Sequence, residues 1–348
     1  MRRTTLGNAR NMRRAAAGAL AALSCFVSAA QAAEEKIVLK LADTLPVTHY
    51  MSLQGAKVFM ARVTELTHGA VTFEYYPSEQ LGKAKDLLRL TQAGVADIAY
   101  VAPSYVSDKM PLSAVGELPE LYDSACAGTR GFYALAHGGL LEQQEFRPNG
   151  VVALMAWSLG PYQIETRLPA LRSLADLKGL KIRGAGGTWD LVLRALGASP
   201  VNFPAPELRQ AMERGTVDGS DGPAISLKPY DMLAVTKSMT RGATFGSFVS
   251  TYSINARKFQ SLAKDVQDAL VQAGKEASLH LCDYVDTNEQ KAMEEAAAAG
   301  VNLWTLGPSE RAELKTLLAP VVKQWADALD ARRLPGSQTV KDFAAAAK

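Results

Sequence analysis

The feature that most constrains this chain is a repeating grammar in which short apolar strands alternate with amphipathic helices that stop at glycine. Ile37-Val38-Leu39-Lys40-Leu41 alternates as a strand does, followed by a turn around Thr44 and Pro46. Thr48 then opens a helix in which Ala56, Phe59, Val63 and Leu66 recur at three- and four-residue spacing up to Gly69. Val71, Phe73 and Tyr75 alternate again, a helix through Leu87 to Ala93 stops at Gly94, and Asp97 to Ala102 is a short apolar strand. Strand–helix alternation of this kind predicts βαβ units and a mostly parallel sheet.

The pattern returns after residue 150. Val151 to Ala156 is nearly continuous in apolar residues, as in a strand buried on both faces. Leu180 to Arg183 reads as a strand running into the bend Gly184-Ala185-Gly186-Gly187. A helix through Leu191, Leu193 and Leu196 stops at Gly197, and another opens at Pro206 and closes at Gly215. Gln92-Ala93-Gly94-Val95-Ala96-Asp97 and Glu213-Arg214-Gly215-Thr216-Val217-Asp218 share one form: helix end, glycine stop, short apolar link, aspartate. Two such copies predict two lobes of similar construction, and 348 residues is the length of about two domains. From Ala256 to about Ala299 the spacing predicts one long helix, with Gly274 its single glycine and no proline. A further amphipathic helix runs from Ser309 through Trp325 to Leu329, and an Ala/Lys tail follows.

The N-terminus reads as an export signal over residues 1–32. Arg2, Arg3, Arg10, Arg13 and Arg14 precede the uncharged stretch Ala15 to Ala33, which ends in the small-x-small site Ala30-Gln31-Ala32. Sec and twin-arginine export both remain open. Without this segment the chain carries 33 basic and 35 acidic residues, so the formal net charge of +3 gives no argument for nucleic-acid binding. After processing no segment qualifies as a membrane span, and the mature chain is expected in the periplasm. Cys126 and Cys282 remain; they can pair in an oxidising compartment, but sequence does not place them within bridging distance.

Catalytic signatures are missing from the sequence: there is no G-x-S-x-G, H-E-x-x-H, C-x-x-C or P-loop. The chain is therefore read as a non-enzyme without cofactor or metal. His280, Cys282, Asp283 and Asp286 are read as a solvated helix face rather than metal ligands. Arg183 stands out because it ends an apolar strand and precedes a glycine bend. In α/β sheets the ligand crevice lies beyond the carboxyl ends of strands, and a guanidinium there suits a carboxylate. Thr44 and His49 after the first strand, Tyr105 after the strand ending near Ala102, and Trp189 after the glycine bend are further ligand candidates. Phe245 and Phe248, near a hinge crossing, are read as core.

Asp176 to Arg183, then Leu196-Gly197-Ala198, then Gly215-Thr216-Val217-Asp218-Gly219, preceded by Gln80-Leu81-Gly82 and Leu118-Pro119, form an ordered set. The set resembles the periplasmic substrate-binding subunits of TRAP transporters, the DctP-like family, from about residue 36 to about 330. The resemblance implies an α/β, two-lobed periplasmic-binding-protein clamshell with a long helix spanning both lobes. It places residues 33–157 plus about 250–283 in lobe I, and 158–249 plus about 284–348 in lobe II. It implies a monomeric extracytoplasmic receptor that binds a small organic acid between the lobes and delivers it to an ion-gradient-driven TRAP permease. A periplasmic ligand sensor partnering a membrane receptor is the alternative. Arg183 takes the place of the family's carboxylate-binding arginine. Tyr162 stands where sialic-acid-type members carry a second arginine. The asparagine that those members place just after Asp-Gly is replaced here, giving Asp218-Gly219-Ser220-Asp221-Gly222-Pro223, in which Asp221 is a candidate to bind a ligand hydroxyl or a cation. Both departures point away from sialic acid and toward a simpler monocarboxylate, aromatic or branched.

Overall fold

The apolar runs of the sequence become the strands of two separate sheets. A computed structural model describes Met1 and residues 36–348; the expected signal segment lies outside the residues described here. The strands are β1 (Ile37–Ala42), β2 (Val71–Tyr76), β3 (Ile98–Val101), β4 (Val151–Ser158), β5 (Gln163–Thr166), β6 (Lys181–Gly184), β7 (Ser199–Asn202), β8 (Gly219–Gly222), β9 (Ser238–Arg241), β10 (Val249–Asn255) and β11 (Asn302–Thr305). One sheet has the order β2-β1-β3-β10-β4 and the other β11-β9-β5-β8-β6-β7. Each centres one lobe of an α/β clamshell. Both sheets are mixed rather than mostly parallel, because one antiparallel strand is inserted in each: β10 between β3 and β4, and β5 between β8 and β9.

The helices are α1 (Lys57–Leu66), α2 (Leu87–Gln92), α3 (Ala125–Ala136), α4 (Thr188–Ala195), α5 (Leu208–Glu213), α6 (Ala256–Ser261), α7 (Lys264–Ala298), α8 (Pro308–Asp330) and α9 (Gly336–Ala346). The expected single helix from Ala256 to Ala299 is thus two. Leu262 is extended (ψ 151°) and buries its side chain, which breaks the run before α7 begins. The remaining 35 residues of α7 reach about 52 Å at 1.5 Å per residue. That length lets it pack on α1, α3 and β4 of the first lobe and on the turn at 224–226 and β11 of the second.

Beside β4, α7 covers an open sheet edge. β4 pairs on one side only, which leaves backbone N–H groups exposed to mispairing or desolvation. Ser278 Oγ on α7 accepts from Ala156 N (3.1 Å), and Thr129 Oγ1 on α3 accepts from Ser158 N (3.0 Å). The approach requires Gly274: a Cβ there would stand 2.0 Å from Leu154 O.

Two chain crossings near residues 159–162 and 242–248 join the lobes and hydrogen-bond to each other, Leu159 N to Phe248 O (3.1 Å) and Tyr162 N to Gly246 O (2.8 Å). The Ala/Lys-rich tail is not a free end. It forms α9, whose Phe343 is buried against Tyr122 and α3. Cys126 and Cys282 are joined by a disulfide with Cα atoms 4.8 Å apart, tying α3 to α7. The long-helix group read as a solvated face is in part structural: Asp286 accepts from Ala125 N (2.6 Å) and Cys126 N (3.0 Å) at the start of α3, and His280 pairs with Gln54.

Candidate functional site

The lobes are closed on one another. Tyr50 Oη lies 3.2 Å from Ser226 Oγ, and the His49 ring stands 4.7 Å from that of Tyr230. Between them is a narrow cavity of about 40 Å³, lined by Tyr100, Tyr105, Tyr162, Tyr230, Phe248, Leu159, Met51 and Met232, and by the ionisable residues Arg183, Asp221 and Glu165.

Arg183 reaches this cavity because β6 ends there and the glycine bend after it leaves room. It is 3% exposed. Its Nε donates to Phe203 O (2.9 Å), Nη1 to Asp221 Oδ1 (3.0 Å) and Nη2 to Tyr105 Oη (3.4 Å). Three of a guanidinium's five N–H groups are thereby used, leaving one on each terminal nitrogen, the pair that a carboxylate takes bidentately. Asp221 is fully buried beside it. Burial raises its pKa while the Arg183 charge opposes the shift. Tyr105 Oη also accepts from Ala205 N (3.1 Å), so this one hydroxyl of the first lobe bonds two groups of the second.

Glu165, on β5, is a residue that the sequence reading passed over. It is 3% exposed and its Oε2 has no hydrogen-bond partner. Burial first, and the Asp221 charge second, push its carboxyl up to about 8, so it is uncharged at neutral pH. Tyr100, Tyr230 and Phe248 were missed as well. They sit on a strand, a turn and a crossing distant in sequence, with no local motif to mark them; Phe248 is buried in the core as expected, and its ring lines the cavity as well.

Tyr105, Tyr162, Arg183 and Asp221 are therefore gathered in one cavity, whereas the other three sequence candidates stand outside its lining. Trp189 is completely buried behind Tyr162 (ring centroids 5.8 Å) and its indole N–H donates to Ser247 O (2.9 Å), so its face is already packed. His49 is wedged between the rings of Tyr50 and Tyr230, and burial lowers its pKa to about 3, keeping it neutral. Thr44 is buried at the end of β1. Among the described residues no group of acids, histidines and cysteines is arranged to hold a metal ion, and no helix is long and apolar enough to cross a membrane.

Two α/β lobes joined by crossing strands, shut over a buried cavity with a guanidinium at one strand end, define the class of solute receptors that close around a small molecule. Residues 42–328 match the DctP family, described as bacterial extracellular solute-binding protein, family 7, and the chain belongs to that family. It is 27% identical over 290 residues to the C4-dicarboxylate-binding periplasmic protein DctP of Rhodobacter capsulatus, covering 81% of this chain and 84% of that one. Among solved structures, a TRAP solute-binding protein from Rhodoferax ferrireducens in complex with copurified benzoate superposes with a TM-score of 0.83 at 24% identity, over 90% of this chain and 98% of that one. A TRAP periplasmic solute-binding protein from Bordetella bronchiseptica with bound (R)- and (S)-mandelate gives 0.81 at 25% identity, over 89% and 98%. The chain is thus a periplasmic-type receptor of TRAP transport, and its family and structural neighbours are solute-binding receptors.

Proposed function

We propose that this receptor binds a small ring-bearing monocarboxylate, delivers it to a TRAP permease and does no chemistry on it. The observation that carries the reading is the pair of unused N–H groups on a buried Arg183 facing a cavity walled by tyrosines. The carboxylate docks on those two donors, and the ring lies among Tyr100, Tyr105, Tyr162 and Phe248, whose flat faces favour an aromatic or similarly flat ligand. Asp221 holds the guanidinium in orientation from its far side and neutralises it in the empty cavity. Tyr105 reports closure, since its hydroxyl reaches Arg183 and Ala205 only when the lobes meet. Trp189 supports Tyr162 from behind, and His49 acts at the lobe contact rather than on the ligand.

The neighbours with benzoate and mandelate support the ring-carboxylate class. Processing near Ala32 and a periplasmic, monomeric mature chain belong to the same proposal; N-terminal sequencing of the exported protein should begin at Ala33. The packing of α9 on α3 supports assigning residues 336–346 to the first lobe, with the boundaries otherwise near 158 and 249 and α7 shared between the lobes.

The test is a thermal-shift and calorimetric screen of ligand-free protein against small carboxylates, run beside Arg183→Ala. Ligand at 100 times its Kd adds about 2.7 kcal/mol, a few degrees in Tm. Each hydrogen bond to a charged group contributes about 1.5–3 kcal/mol, so the variant should bind at least ~100-fold more weakly. Binding that survives in Arg183→Ala would remove the anchoring role, and a protein deaf to every ring carboxylate would favour another ligand class.

A further inference from the structure

The Arg183–Asp221 pair leaves a second acid of the cavity unexplained. Glu165 stands opposite Ser220 in the sheet, and Ser220 stands opposite Arg183, so the three form one row across β5, β8 and β6. The charged groups facing it are Arg183 from β6 and Asp221 from β8, and the titratable Tyr100, Tyr105, Tyr162 and Tyr230 line the same space; the Thr236 hydroxyl stands near enough to lower its pKa a little, but neither Thr236 Oγ1 nor Glu165 Oε2 completes a hydrogen bond. Among the lining residues Arg183 is the one cation, and Asp221 already engages it. If Glu165 were also ionised, a bound ligand carboxylate would bring three negative charges against one positive charge in a sealed space, at a heavy desolvation cost. Glu165 therefore keeps its proton, and an uncharged carboxyl offers one O–H donor and an acceptor oxygen.

Resting on the carboxylate reading of Arg183, we propose that Glu165 determines specificity: it hydrogen-bonds a hydroxyl carried by the ligand at a distance from its carboxylate, so the receptor selects hydroxy-substituted ring acids over unsubstituted ones. The cavity's other walls are mainly aromatic and aliphatic, their remaining uncharged polar side-chain groups being the tyrosine hydroxyls and Ser226. A buried group built to pair with a hydroxyl penalises the analogue that lacks it, because its own polar atoms are left unpaired.

The test is calorimetric titration of the purified protein, Glu165→Leu and Glu165→Gln with benzoate, 3-hydroxybenzoate and 4-hydroxybenzoate at pH 6.5. The unaltered protein should prefer one hydroxy acid to benzoate by about tenfold or more. Glu165→Leu should lose that preference while still binding benzoate. Glu165→Gln, which donates and accepts but never ionises, should keep most of it. Above about pH 8 the preference of the unaltered protein should fall as Glu165 ionises beside Asp221, and that of Glu165→Gln should not. A preference that persists in Glu165→Leu overturns the proposal. So does an equal loss for all three acids in both variants, which would mark a purely structural role. If none of the acids binds the unaltered protein, the carboxylate reading fails first, and this inference with it.

Discussion

In the first lobe, Asp97 at the foot of β3 is bonded twice to β1: its backbone N donates to Lys40 O (3.0 Å) and its carboxylate accepts from Lys40 N (2.8 Å). In the second lobe Asp218 does the same to Lys181 of β6, at 2.7 and 3.0 Å. The inserted antiparallel strand completes both arrangements, with Asn255 N donating to Asp97 O (2.9 Å) and Arg167 N to Asp218 O (3.0 Å). Gly94 and Gly215, at φ +75° and +68°, turn the chain from helix to aspartate in each. Counted from these matched positions, two residues beyond Lys40 is Ala42, and two beyond Lys181 is Arg183. Three beyond Asp97 is Tyr100, and three beyond Asp218 is Asp221. One backbone plan thus serves both lobes, and the proposed site is built where they diverge: at the matched positions the first lobe places Ala42 and Tyr100, the second a guanidinium and its counter-charge.

The lobes also differ in how they hold α7, and this yields the largest expected effect on stability. The first lobe is tied to it by the Cys126–Cys282 disulfide and the Asp286 cap on α3. The second is tied by Glu289 in the same capping role, accepting from Ala224 N (2.7 Å) and Ile225 N (3.0 Å), with an exposed Lys228–Glu295 pair and the packing of Met293 and Ala296 beside it and no covalent link among the described residues. Replacing both cysteines by serine reopens a loop with a sequence separation of 156, and should cost about 2–5 kcal/mol, seen as a Tm lower by several degrees. Ligand Kd should move by less than about threefold, since neither cysteine lines the cavity. A large change in Kd would show that the covalent tie of the first lobe sets closure.

A smaller effect tests the equivalence itself. Asp97→Ala and Asp218→Ala each remove a carboxylate cap from a half-buried strand end, and each should cost about 1–3 kcal/mol in denaturant unfolding. Asp218→Ala should cost slightly more, because Asp218 also pairs with the part-exposed Arg167 (2.8 Å), a contact worth at most about 1 kcal/mol. Costs differing by more than that would mean that the two lobes share a pattern but not its energetics.

The repeat was legible because it is local: a helix end, a glycine and an aspartate lie within six residues. The same holds for β1 to β4, for α4 and for α8. What sequence did not disclose depends on distant partners. The break at Leu262 comes from tertiary burial in a stretch whose residues all suit a helix. The tail became α9 because Phe343 finds Tyr122 some two hundred residues away. The place of Arg183 in the cavity lining was legible from its strand end and the family motif together. Glu165 was not, because a lone acid in a short strand carries no signal until Ser220 and Asp221 are set beside it. Trp189 was misplaced for the converse reason: it follows the right bend, but α4 turns its indole toward Ser247 and away from the cavity.

The smallest expected effect is a pH dependence that divides between the lobes. Burial pushes the Glu117 carboxyl of the first lobe up to about 8, against a hydrogen bond from Ser104, and burial with the Asp221 charge does the same to Glu165 of the second. An acid whose folded pKa is raised binds its proton more tightly when native, so its stabilising contribution is full below about pH 4.5 and is lost as pH rises through 8. His49 and His137, both in the first lobe, are lowered by burial to about 3 and 4, and their contribution is full above about 6.5 and lost on acidification. The two trends oppose each other between pH 4.5 and 6.5. Above 6.5 the acids act alone, joined by Glu145 and Glu289, which burial raises to about 7. The Tm of ligand-free protein should therefore fall from pH 6.5 to 9. Glu117→Gln and Glu165→Gln should each flatten that slope, by at most about 2 °C per pH unit. Equal flattening would mean that each lobe stores one proton on the same terms; flattening by Glu117→Gln alone would mean that the Arg183 charge already holds Glu165 ionised in the open receptor.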